Sequence, residues 1–337
     1  MLVGIGDGSL ANSLKKIELA EQGMEIYQTG SLLEGLCLKA QQEIVIAAPF
    51  IKVSALSRLL SVFRPNIKLL CITRWRIEEI MNGVSDIEVW NLIKAMPGAV
   101  LLLRSDLHAK YYRGDKECLV GSANVTNSAL GWTPEPNLEL LISTSFDEER
   151  INKFETALKS GCVPVDDQFY NYVLGIVHTF QEKNPKKKVE IQVEIELPQK
   201  PPTSISNESW LPSLRNPNSL FIAYRGEVEK LTRAQKEAAM VDLAFLPLPV
   251  GLSQNEFKLA VGMQLLLKPI VNKVDTFLET PRRFGAVTEY LATLSCSRNP
   301  NFEPKASWQT LMRWLIHFLP KRYSLSVPNH SEIFVKI

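Results

Sequence analysis

Short apolar runs alternate with amphipathic segments along the first half of the chain. Runs of apolar and β-branched residues indicate strands, and apolar residues at helical spacing indicate helices. Because strands alternate with helices, we predict an α/β fold with a mixed sheet flanked by helices. The predicted strands are Glu43–Ala48, Ile67–Thr73, Gly98–Leu103, His108–Tyr112, Glu117–Val120 and Leu138–Ile142, and the predicted helices are Ser54–Phe63, Asp86–Met96 and Asp147–Leu158.

The pattern changes between Phe180 and Pro212. This segment contains a lysine run at 186–188, a strictly alternating stretch at 189–195 and several prolines, which together are typical of a linker that carries one exposed strand. We therefore predict three parts: a catalytic domain at 1–180, a linker with an exposed strand at 181–206 and a mainly helical C-terminal domain at 207–337.

Signals for the start of a helix recur in the C-terminal part. Ser253 and Glu256 form a capping-box pattern, and Thr280-Pro281 places a proline at a first helical position. The predicted elements are helices at 257–267, at 282–294 and from a Ser307 cap to Leu319, followed by a terminal hairpin at 323–337.

The composition of the 337-residue chain is that of an ordinary globular protein, with 45% hydrophobic and 22% charged residues. It excludes a wholly disordered chain, a collagen and a coiled-coil rod. No apolar run approaches the roughly 20 residues that cross a bilayer, and the N-terminus lacks the basic start and apolar core of a secretory signal. We therefore expect a cytoplasmic protein with no membrane partner.

The five cysteines are scattered and include no Cys-x-x-Cys pair. An odd number of isolated cysteines in a chain of this length argues against a disulfide framework. None of the four histidines lies at ligand spacing from a cysteine or a second histidine, so the sequence contains no zinc motif. We expect neither a metal nor a cofactor.

The two halves of the chain differ in charge. Residues 1–180 carry 17 Lys and Arg against 21 Asp and Glu, a net −4, whereas residues 181–337 carry 21 against 15, a net +6. Together they give the +2 of the whole chain. The positive excess favours a polyanion partner such as DNA, although a solvated surface accounts for it equally well.

The last predicted helix allows two interpretations. A helix that ends in Lys321 and Arg322, with a hairpin behind it, suits DNA binding. Alternatively, Trp314, Leu315 and Phe318 form a core, and the basic residues only favour a helix C-terminus. The sequence leaves both interpretations open, with further positive charge at Arg282, Arg283, Arg298 and Arg313.

Residues with chemical potential concentrate between positions 108 and 139. His108 and Lys110 are two apart, so on a strand they project from the same face. The hairpin that follows returns Ser122 and Asn124 beside them. An imidazole, an ammonium, a hydroxyl and a carboxamide at one point form a phosphate-binding cup with a nucleophile inside it. Taken singly, a His near a Lys is usually a surface pair, and Gly-Ser-x-Asn is usually a turn.

In combination, these residues resemble the signature of the phospholipase D superfamily. That signature is His-x-Lys, four residues, Asp, and then a Gly-Ser-x-Asn turn, and it is filled here by His108, Lys110, Asp115 and the residues from Gly121 to Asn124. Five residues separate Asp115 from Gly121, where the family usually has six. The resemblance covers residues 25–165 and implies that family's mixed sheet, with Asp115 as a structural turn residue.

The chain contains a single His-x-Lys sequence. The remaining histidines, His178, His317 and His330, have no lysine two positions later. Superfamily members with one copy build their active site at a twofold axis, where each chain contributes the same residues. The resemblance therefore implies a homodimer.

The resemblance also implies a mechanism. His108 of one subunit would attack phosphorus to form a phosphohistidine, and His108 of the other subunit would protonate the leaving oxygen. Lys110 and Asn124 would hold the nonbridging oxygens with support from Ser122. Glu139 would orient an imidazole as the carboxylate of a Ser-His-Asp triad does. This scheme needs no metal.

Single-motif members with an added C-terminal domain resemble bacterial nucleases, including restriction endonucleases whose added domain reads DNA. We therefore predict a DNA endonuclease that acts in restriction or anti-phage defence, with any partner proteins of that system unidentified. Two alternatives stay open: a phospholipid hydrolase or phosphatidyl transferase, and a nucleic-acid-binding module with an inactive site. The fold does not choose among them.

Overall fold

The structure is a computed structural model that describes residues 29–183, 206–299, 302–327 and 332–337. These residues form two compact units. The domain ends predicted at residues 180 and 207 stay a prediction, and the strand predicted at 189–195 lies outside the described residues. The first unit contains the described residues up to Trp75 with Gly83–Leu102 and Asp106–Thr156, and the second contains Arg76–Asn82, Leu103–Ser105 and the described residues from Ala157 onward.

Helices and strands alternate in the first part of the described chain. Every element predicted for residues 43–158 is present, with ends that differ by up to three residues, whereas the first, third and sixth helices have no counterpart among the predicted elements. In chain order the elements are α1 (Thr29–Lys39), β1 (Glu43–Ala47), α2 (Val53–Leu60), β2 (Lys68–Thr73), α3 (Ile77–Met81), α4 (Val89–Lys94), β3 (Ala99–Leu103), β4 (Lys110–Gly114), β5 (Glu117–Gly121), β6 (Leu141–Ser145), α5 (Glu149–Ser160), β7 (Val163–Pro164) and α6 (Asp167–Lys183).

Seven strands form one mixed sheet in the order β6-β5-β4-β1-β2-β3-β7. β1 and β2 are parallel, whereas the pairs β1–β4, β4–β5 and β5–β6 are antiparallel. Together with the helices around it and the helical second unit, this sheet confirms the predicted fold class.

The pairing register brings several strand ends together at one end of the sheet. Ala47, the last residue of β1, is paired with Tyr111. Lys110, the first residue of β4, lies opposite Gly121, the last residue of β5, and Gly121 lies opposite Leu141, the first residue of β6. In open α/β sheets ligands bind outside the carboxyl ends of parallel strands, so this end of the sheet is the expected place for a site.

Strands β4 and β6 lie further along the chain than the apolar pattern predicts. β4 continues to Gly114, which pairs with Ile44 of β1, and β6 continues to Ser145, which pairs with Glu117 of β5. Backbone pairing with a neighbouring strand therefore sets these ends, and apolar character does not. As a result, His108 precedes β4, and the prediction that it opens the strand is wrong.

A buried ion-pair network holds β4 against α5. The Glu155 carboxylate accepts hydrogen bonds from Tyr111 Oη at 2.6 Å and from Arg113 Nε at 2.7 Å, and Arg113 also pairs with Glu43 of β1. Burial opposes the charge on Arg113, but its hydrogen bonds to Glu155 and Glu43 outweigh that effect and raise its pKa. Removing one partner of a buried pair costs several kcal/mol, so this network fixes the strand that begins with Lys110.

The second unit is mainly helical beyond α6. Within the described ranges, no helix is long and apolar enough to cross a membrane. In chain order the remaining elements are α7 (Asn218–Tyr224), a 3₁₀ turn (Val228–Lys230), α8 (Arg233–Ala244), α9 (Gln254–Leu266), α10 (Pro269–Phe277), β8 (Arg282–Arg283), α11 (Phe284–Thr293), a second 3₁₀ turn (Ser295–Arg298), α12 (Pro304–Phe318), β9 (Tyr323–Ser326) and β10 (Ile333–Lys336).

The helix-start signals of the second unit have mixed outcomes. The capping box of Ser253 and Glu256 opens α9 as predicted, and the terminal hairpin is present as β9 and β10. The predicted helix start at residue 282 is wrong, because Arg282 and Arg283 pair with β10 and α11 begins only at Phe284. The predicted Ser307 cap is also wrong, because a proline in the first turn starts α12 earlier.

Burial decides part of the two interpretations of the last helix. Trp314, Leu315 and Phe318 are buried, which confirms their assignment to the core. Arg322 is buried as well, and its guanidinium makes two hydrogen bonds of 2.7 Å with the Asp275 carboxylate. Arg322 therefore belongs to the interior of the second unit, and its assignment to a DNA-binding basic end is wrong.

Asp242 on α8 is a fully buried carboxylate that anchors a neighbouring segment. It accepts hydrogen bonds from the backbone N–H groups of Ser213 at 3.0 Å and Leu214 at 2.8 Å. Burial raises the pKa of Asp242 to about 7, although the hydrogen bonds from Ser213 and Leu214 oppose the shift. A carboxyl group with a raised pKa binds a proton in the folded chain over a pH range in which the unfolded chain has released it.

We expect the free energy of unfolding to fall as pH rises from about 4 to about 7, by up to about 1.4 kcal/mol per pH unit for the proton on Asp242. The stabilisation is complete below the unfolded-state pKa and is lost as pH rises through the folded-state pKa. Urea unfolding across this range should show a shallower dependence for Asp242→Asn than for the parent chain. An identical slope in both proteins would contradict the assignment.

Candidate active site

Lys110 lies at the end of the sheet where the strand ends converge. Its ammonium donates a hydrogen bond to the backbone carbonyl of His108 at 2.9 Å. Partial burial and then the positive charge of Arg74 lower the pKa of Lys110, while the negative charge of Glu139 opposes this shift. Two cations and one carboxylate therefore act on one another here. An anion bound beside Lys110 and Arg74 would relieve their repulsion.

Glu139 is held at both carboxylate oxygens. The Ser122 hydroxyl donates a hydrogen bond to Oε2, and Asn137 Nδ2 donates one to Oε1 at 3.2 Å. The Ser122 oxygen in turn accepts a hydrogen bond from the backbone N–H of Leu140 at 3.1 Å. The predicted site residues Ser122 and Glu139 are thus in direct contact, and the orientation of Glu139 is set before any ligand binds.

Gly121 allows the contact between Ser122 and Glu139, because its backbone lies too close to Leu140 to leave room for a side chain. A Cβ atom at this position would lie 1.8 Å from the Leu140 carbonyl oxygen. Ser122 is also bonded to Leu140 through its backbone, with its N–H 3.0 Å from that same carbonyl oxygen. Only glycine leaves room for this approach, so steric constraints explain why the motif has a glycine at this position.

Asn124 is fixed to the chain that leaves β1. Its Oδ1 accepts a hydrogen bond from the backbone N–H of Phe50 at 3.3 Å, and the next residue, Val125, donates its N–H to the Phe50 carbonyl at 3.1 Å. Because Oδ1 is the acceptor in this bond, Nδ2 is the end of the carboxamide that can donate to a ligand.

His108 is exposed and lies two residues before Lys110, just ahead of β4. Its backbone carbonyl is bonded to the Lys110 ammonium, so the two residues are joined at the mouth of the site. The roles predicted for His108, Lys110, Ser122, Asn124 and Glu139 stay predictions, because the geometry shows their neighbours and not their reactions.

Asp115 has the structural position that the motif implies. It adopts a φ of 51°, the left-handed region, in the two-residue turn between β4 and β5. Its carboxylate accepts hydrogen bonds from the backbone N–H groups of Gln41 at 2.7 Å and of Gln42 and Glu43 at 3.0 Å. Burial opposes its charge, but these three hydrogen bonds lower the pKa of Asp115.

Arg74 is a site residue that the sequence analysis missed. It directly follows β2, is buried, and donates from Nη1 to the Leu107 carbonyl at 2.8 Å. This bond holds the backbone immediately before His108, and the charge of Arg74 acts on Lys110. The available signal was a charged residue directly after a buried parallel strand, where the chain reaches the carboxyl end of the sheet.

We expect Gly121→Ala to destabilise the chain by about 1–3 kcal/mol, because the new methyl group overlaps the Leu140 carbonyl and must push the start of β6 away. The Ser122–Glu139 contact should be disturbed with it, since Glu139 moves with that segment. Gly35→Ala is the matched control: Gly35 lies in α1 with no atom within 4 Å of the added Cβ, so stability should hold or rise. Equal unfolding curves for both variants would contradict the steric argument.

Within the described part of the chain, no group of three or more His, Cys, Asp or Glu residues is placed to hold a metal ion. At this end of the sheet the cations Lys110 and Arg74 and the carboxylate of Glu139 act on one another. The two cations and the Asn124 amide offer donors for an anion. This arrangement suits a ligand that carries negatively charged oxygens.

No family model and no curated protein matches the chain. Among solved structures, NucT from Helicobacter pylori is 19% identical with a TM-score of 0.34, over 42% of this chain and 94% of NucT. Phosphatidylserine synthase from Haemophilus influenzae Rd KW20 is 12% identical with a TM-score of 0.36, over 74% of this chain and 68% of the synthase. TrmBL2, an archaeal chromatin protein with a novel mode of DNA binding, is 13% identical with a TM-score of 0.28, over 45% of this chain and 60% of TrmBL2.

These similarities concern the fold alone. Every identity is below 20% and every TM-score is below 0.5. Activity, substrate and partners are therefore inferred from the residues of this chain alone.

Proposed function

We propose that this chain is a metal-independent phosphodiesterase of the phospholipase D type, and specifically a DNA endonuclease that works as a homodimer. The observation that carries the proposal is the set of groups at one end of the sheet. The exposed His108 is followed by Lys110, beside which lie Arg74 and the bonded pair of Ser122 and Glu139. Restriction or anti-phage defence is the role that the motif's resemblance implies for such an enzyme.

The cations supply the electrostatic part of this chemistry. A phosphodiester resists attack because its nonbridging oxygens are negative, so a catalyst must neutralise them in the transition state. Lys110 and Arg74 already repel each other, and this repulsion contributes to the lowered pKa of Lys110. The bound phosphodiester would lie beside both, with the Asn124 amide as a third donor, and charge neutralisation would come from protein groups.

The reaction would proceed in two steps at His108. The neutral imidazole of one subunit attacks phosphorus, the P–N bond forms, and the P–O bond to the leaving group breaks. The second copy's His108, in its protonated form, transfers a proton to the leaving oxygen. That histidine then takes a proton from water, which attacks the phosphohistidine and releases the phosphomonoester product.

Glu139 would act as a positioning residue for the imidazole. Its two carboxylate oxygens are already bonded to Ser122 and Asn137, so it has little freedom to move. A fixed carboxylate beside an imidazole stabilises the protonated ring and selects its orientation. Ser122 supports this arrangement by holding both Glu139 and the Leu140 backbone.

An exposed apolar row beside the site supports the homodimer. Leu138 and Leu140 precede β6 and Ile142 is its second residue, and the three side chains are 77%, 57% and 55% exposed. β6 is the edge strand of the sheet, and Glu139 lies between the first two of these residues. The proposed mechanism needs two imidazoles and the motif supplies one. A second copy seated on this row across a twofold axis would bring the second one.

DNA is favoured over a lipid as the substrate by charge. The second half of the chain carries a net +6, which favours a polyanion. A lipid enzyme would instead present the apolar row of Leu138, Leu140 and Ile142 to a bilayer, and a module with an inactive site would bind DNA without cutting it. These two alternatives make different predictions for the same assays.

A plasmid-nicking assay in excess EDTA tests the proposal. We expect supercoiled DNA to be cut at an unchanged rate when the chelator is added, because Lys110 and Arg74 neutralise the phosphate. Hydrolysis of phosphatidylcholine vesicles is measured in parallel. Lipid hydrolysis without nicking would favour the lipid enzyme, and DNA binding without either reaction would favour the inactive binding module. Loss of nicking in EDTA would contradict the metal-independent mechanism.

A further inference from the structure

A surface groove in the second unit is lined by cationic and amide side chains. Its volume is about 550 Å³, and its lining contains Arg215, Asn216, Pro217, Asn218, Arg313, Ile316 and His317, with no acidic residue. The volume is in the range of ligand sites.

The two arginines of this groove are available for a ligand. Arg215 and Arg313 are both exposed, and among the described residues neither guanidinium has a hydrogen bond or an ion pair. Elsewhere in the same unit, Arg233 pairs with Glu237, and Arg322 pairs with Asp275. Two unpaired guanidinium groups in the lining of one groove give it a positive potential, which favours an anionic ligand.

The positions of both arginines are set by buried neighbours. Arg313 and His317 lie one turn apart on the outer face of α12, whose inner face buries Trp314. The Trp314 indole donates a hydrogen bond to the Leu214 carbonyl at 2.7 Å, and Asp242 holds the Leu214 N–H at 2.8 Å. Arg215, the next residue, is therefore held against the exposed face of α12, and the groove is preformed.

A further charge and two apolar groups complete the groove. Burial and then the positive charge of Lys258 lower the pKa of His317, so Lys258 adds to the positive potential here. Pro217 and Ile316 add apolar surface to the same lining. A lining that combines positive charge with apolar surface suits a sugar–phosphate backbone, in which charged phosphates are separated by apolar sugar faces.

We propose that this groove binds the phosphate backbone of double-stranded DNA through Arg215 and Arg313. The inference rests on the proposed endonuclease function and adds to it a second phosphate-binding surface outside the His-x-Lys site. Each guanidinium would contact one phosphate through two N–H groups. Such contacts carry no sequence information, so the groove would supply affinity and orientation only.

Duplex binding by the full-length chain tests this proposal. In a His108→Ala background, which prevents cleavage, the double variant Arg215→Ala/Arg313→Ala is compared with its parent by fluorescence anisotropy over a series of salt concentrations. We expect the Kd to rise by about fivefold or more, and the slope of log K against log salt to shrink by about 2, since two phosphate contacts are lost. An unchanged Kd and slope would overturn the proposal.

Two further variants exclude trivial explanations. Arg233→Ala/Lys236→Ala removes the same charge from the exposed face of α8 and should change the Kd by less than about twofold. Arg215→Lys/Arg313→Lys keeps the charge, so most of the salt slope should return. Equal losses in the α8 variant and the groove variant would show a general charge effect and would overturn the assignment to the groove.

DNA binding by the groove and the proposed catalytic activity can be tested separately. Hydrolysis of bis(p-nitrophenyl) phosphate, a small phosphodiester, is measured with His108 intact. The groove variant should match the parent here, because this substrate reaches only the His-x-Lys site. A parent chain that is inactive on both this substrate and DNA would contradict the proposed function. The anisotropy measurement would still decide whether the groove binds duplex DNA.

Discussion

Replacing His108 with Ala should lower DNA cleavage by a factor on the order of 10⁴ to 10⁶, because a nucleophile that forms a covalent intermediate has no substitute in the site. His108 is exposed ahead of β4 and makes no contribution to the core, so thermal unfolding should be unchanged. His178, an exposed histidine on α6, is the matched control. Cleavage by His108→Ala at more than about one tenth of the parent rate would contradict the nucleophile assignment.

The same variant also tests whether the site is shared. When parent and His108→Ala chains are mixed and allowed to exchange, a shared site is active only in dimers of two parent chains. An equal mixture should then retain about a quarter of the parent activity, whereas independent sites would retain about half. A linear fall of activity with the parent fraction would show that each chain works alone.

Leu140→Asp is expected to produce a monomer that has lost at least about 100-fold of its cleavage activity. The charge would be placed in the middle of the apolar row of Leu138, Leu140 and Ile142, and an unpaired carboxylate buried in an interface costs several kcal/mol. Since Leu140 is 57% exposed, the folded monomer should keep its stability. Sedimentation velocity and the nicking assay measure both parts of the prediction.

Leu38→Asp is the control for this substitution. Leu38 lies on α1 and is 56% exposed, so it receives the same chemical change at matched exposure away from the row. It should remain dimeric and active. A dimer that survives Leu140→Asp, or an active monomer, would remove the apolar row from the proposed interface. Loss of vesicle binding without a change in oligomeric state would favour the lipid alternative.

The order of strands and helices in the first unit could be predicted because each segment carries its own pattern. β1 and β2 are short, mainly apolar runs, and α5 has Glu149 in its first turn. These local preferences agree with the final fold. The capping box of Ser253 and Glu256 was recognised for the same reason, since all of its hydrogen bonds lie within one turn.

Local sequence patterns led to wrong predictions where a residue contacts a distant part of the chain. Thr280-Pro281 has the pattern of a helix start, but Arg282 and Arg283 pair with β10, about fifty residues later in the chain. Arg322 resembles a basic helix end, yet Asp275 neutralises it in the interior. In both cases a long-range contact outweighs the local preference, and the sequence contains no mark of that contact.

The sequence by itself identified the residues of the candidate site, because the motif consists of residue types at fixed local spacings: His108, Lys110, Ser122, Asn124 and Glu139. Tertiary structure alone decided how these residues are held. The approach of Gly121 to Leu140 and the placement of Arg74 beside Lys110 depend on which strands pair and in what register. Register is a property of several segments at once, and a one-residue slip would reverse every side chain on a strand.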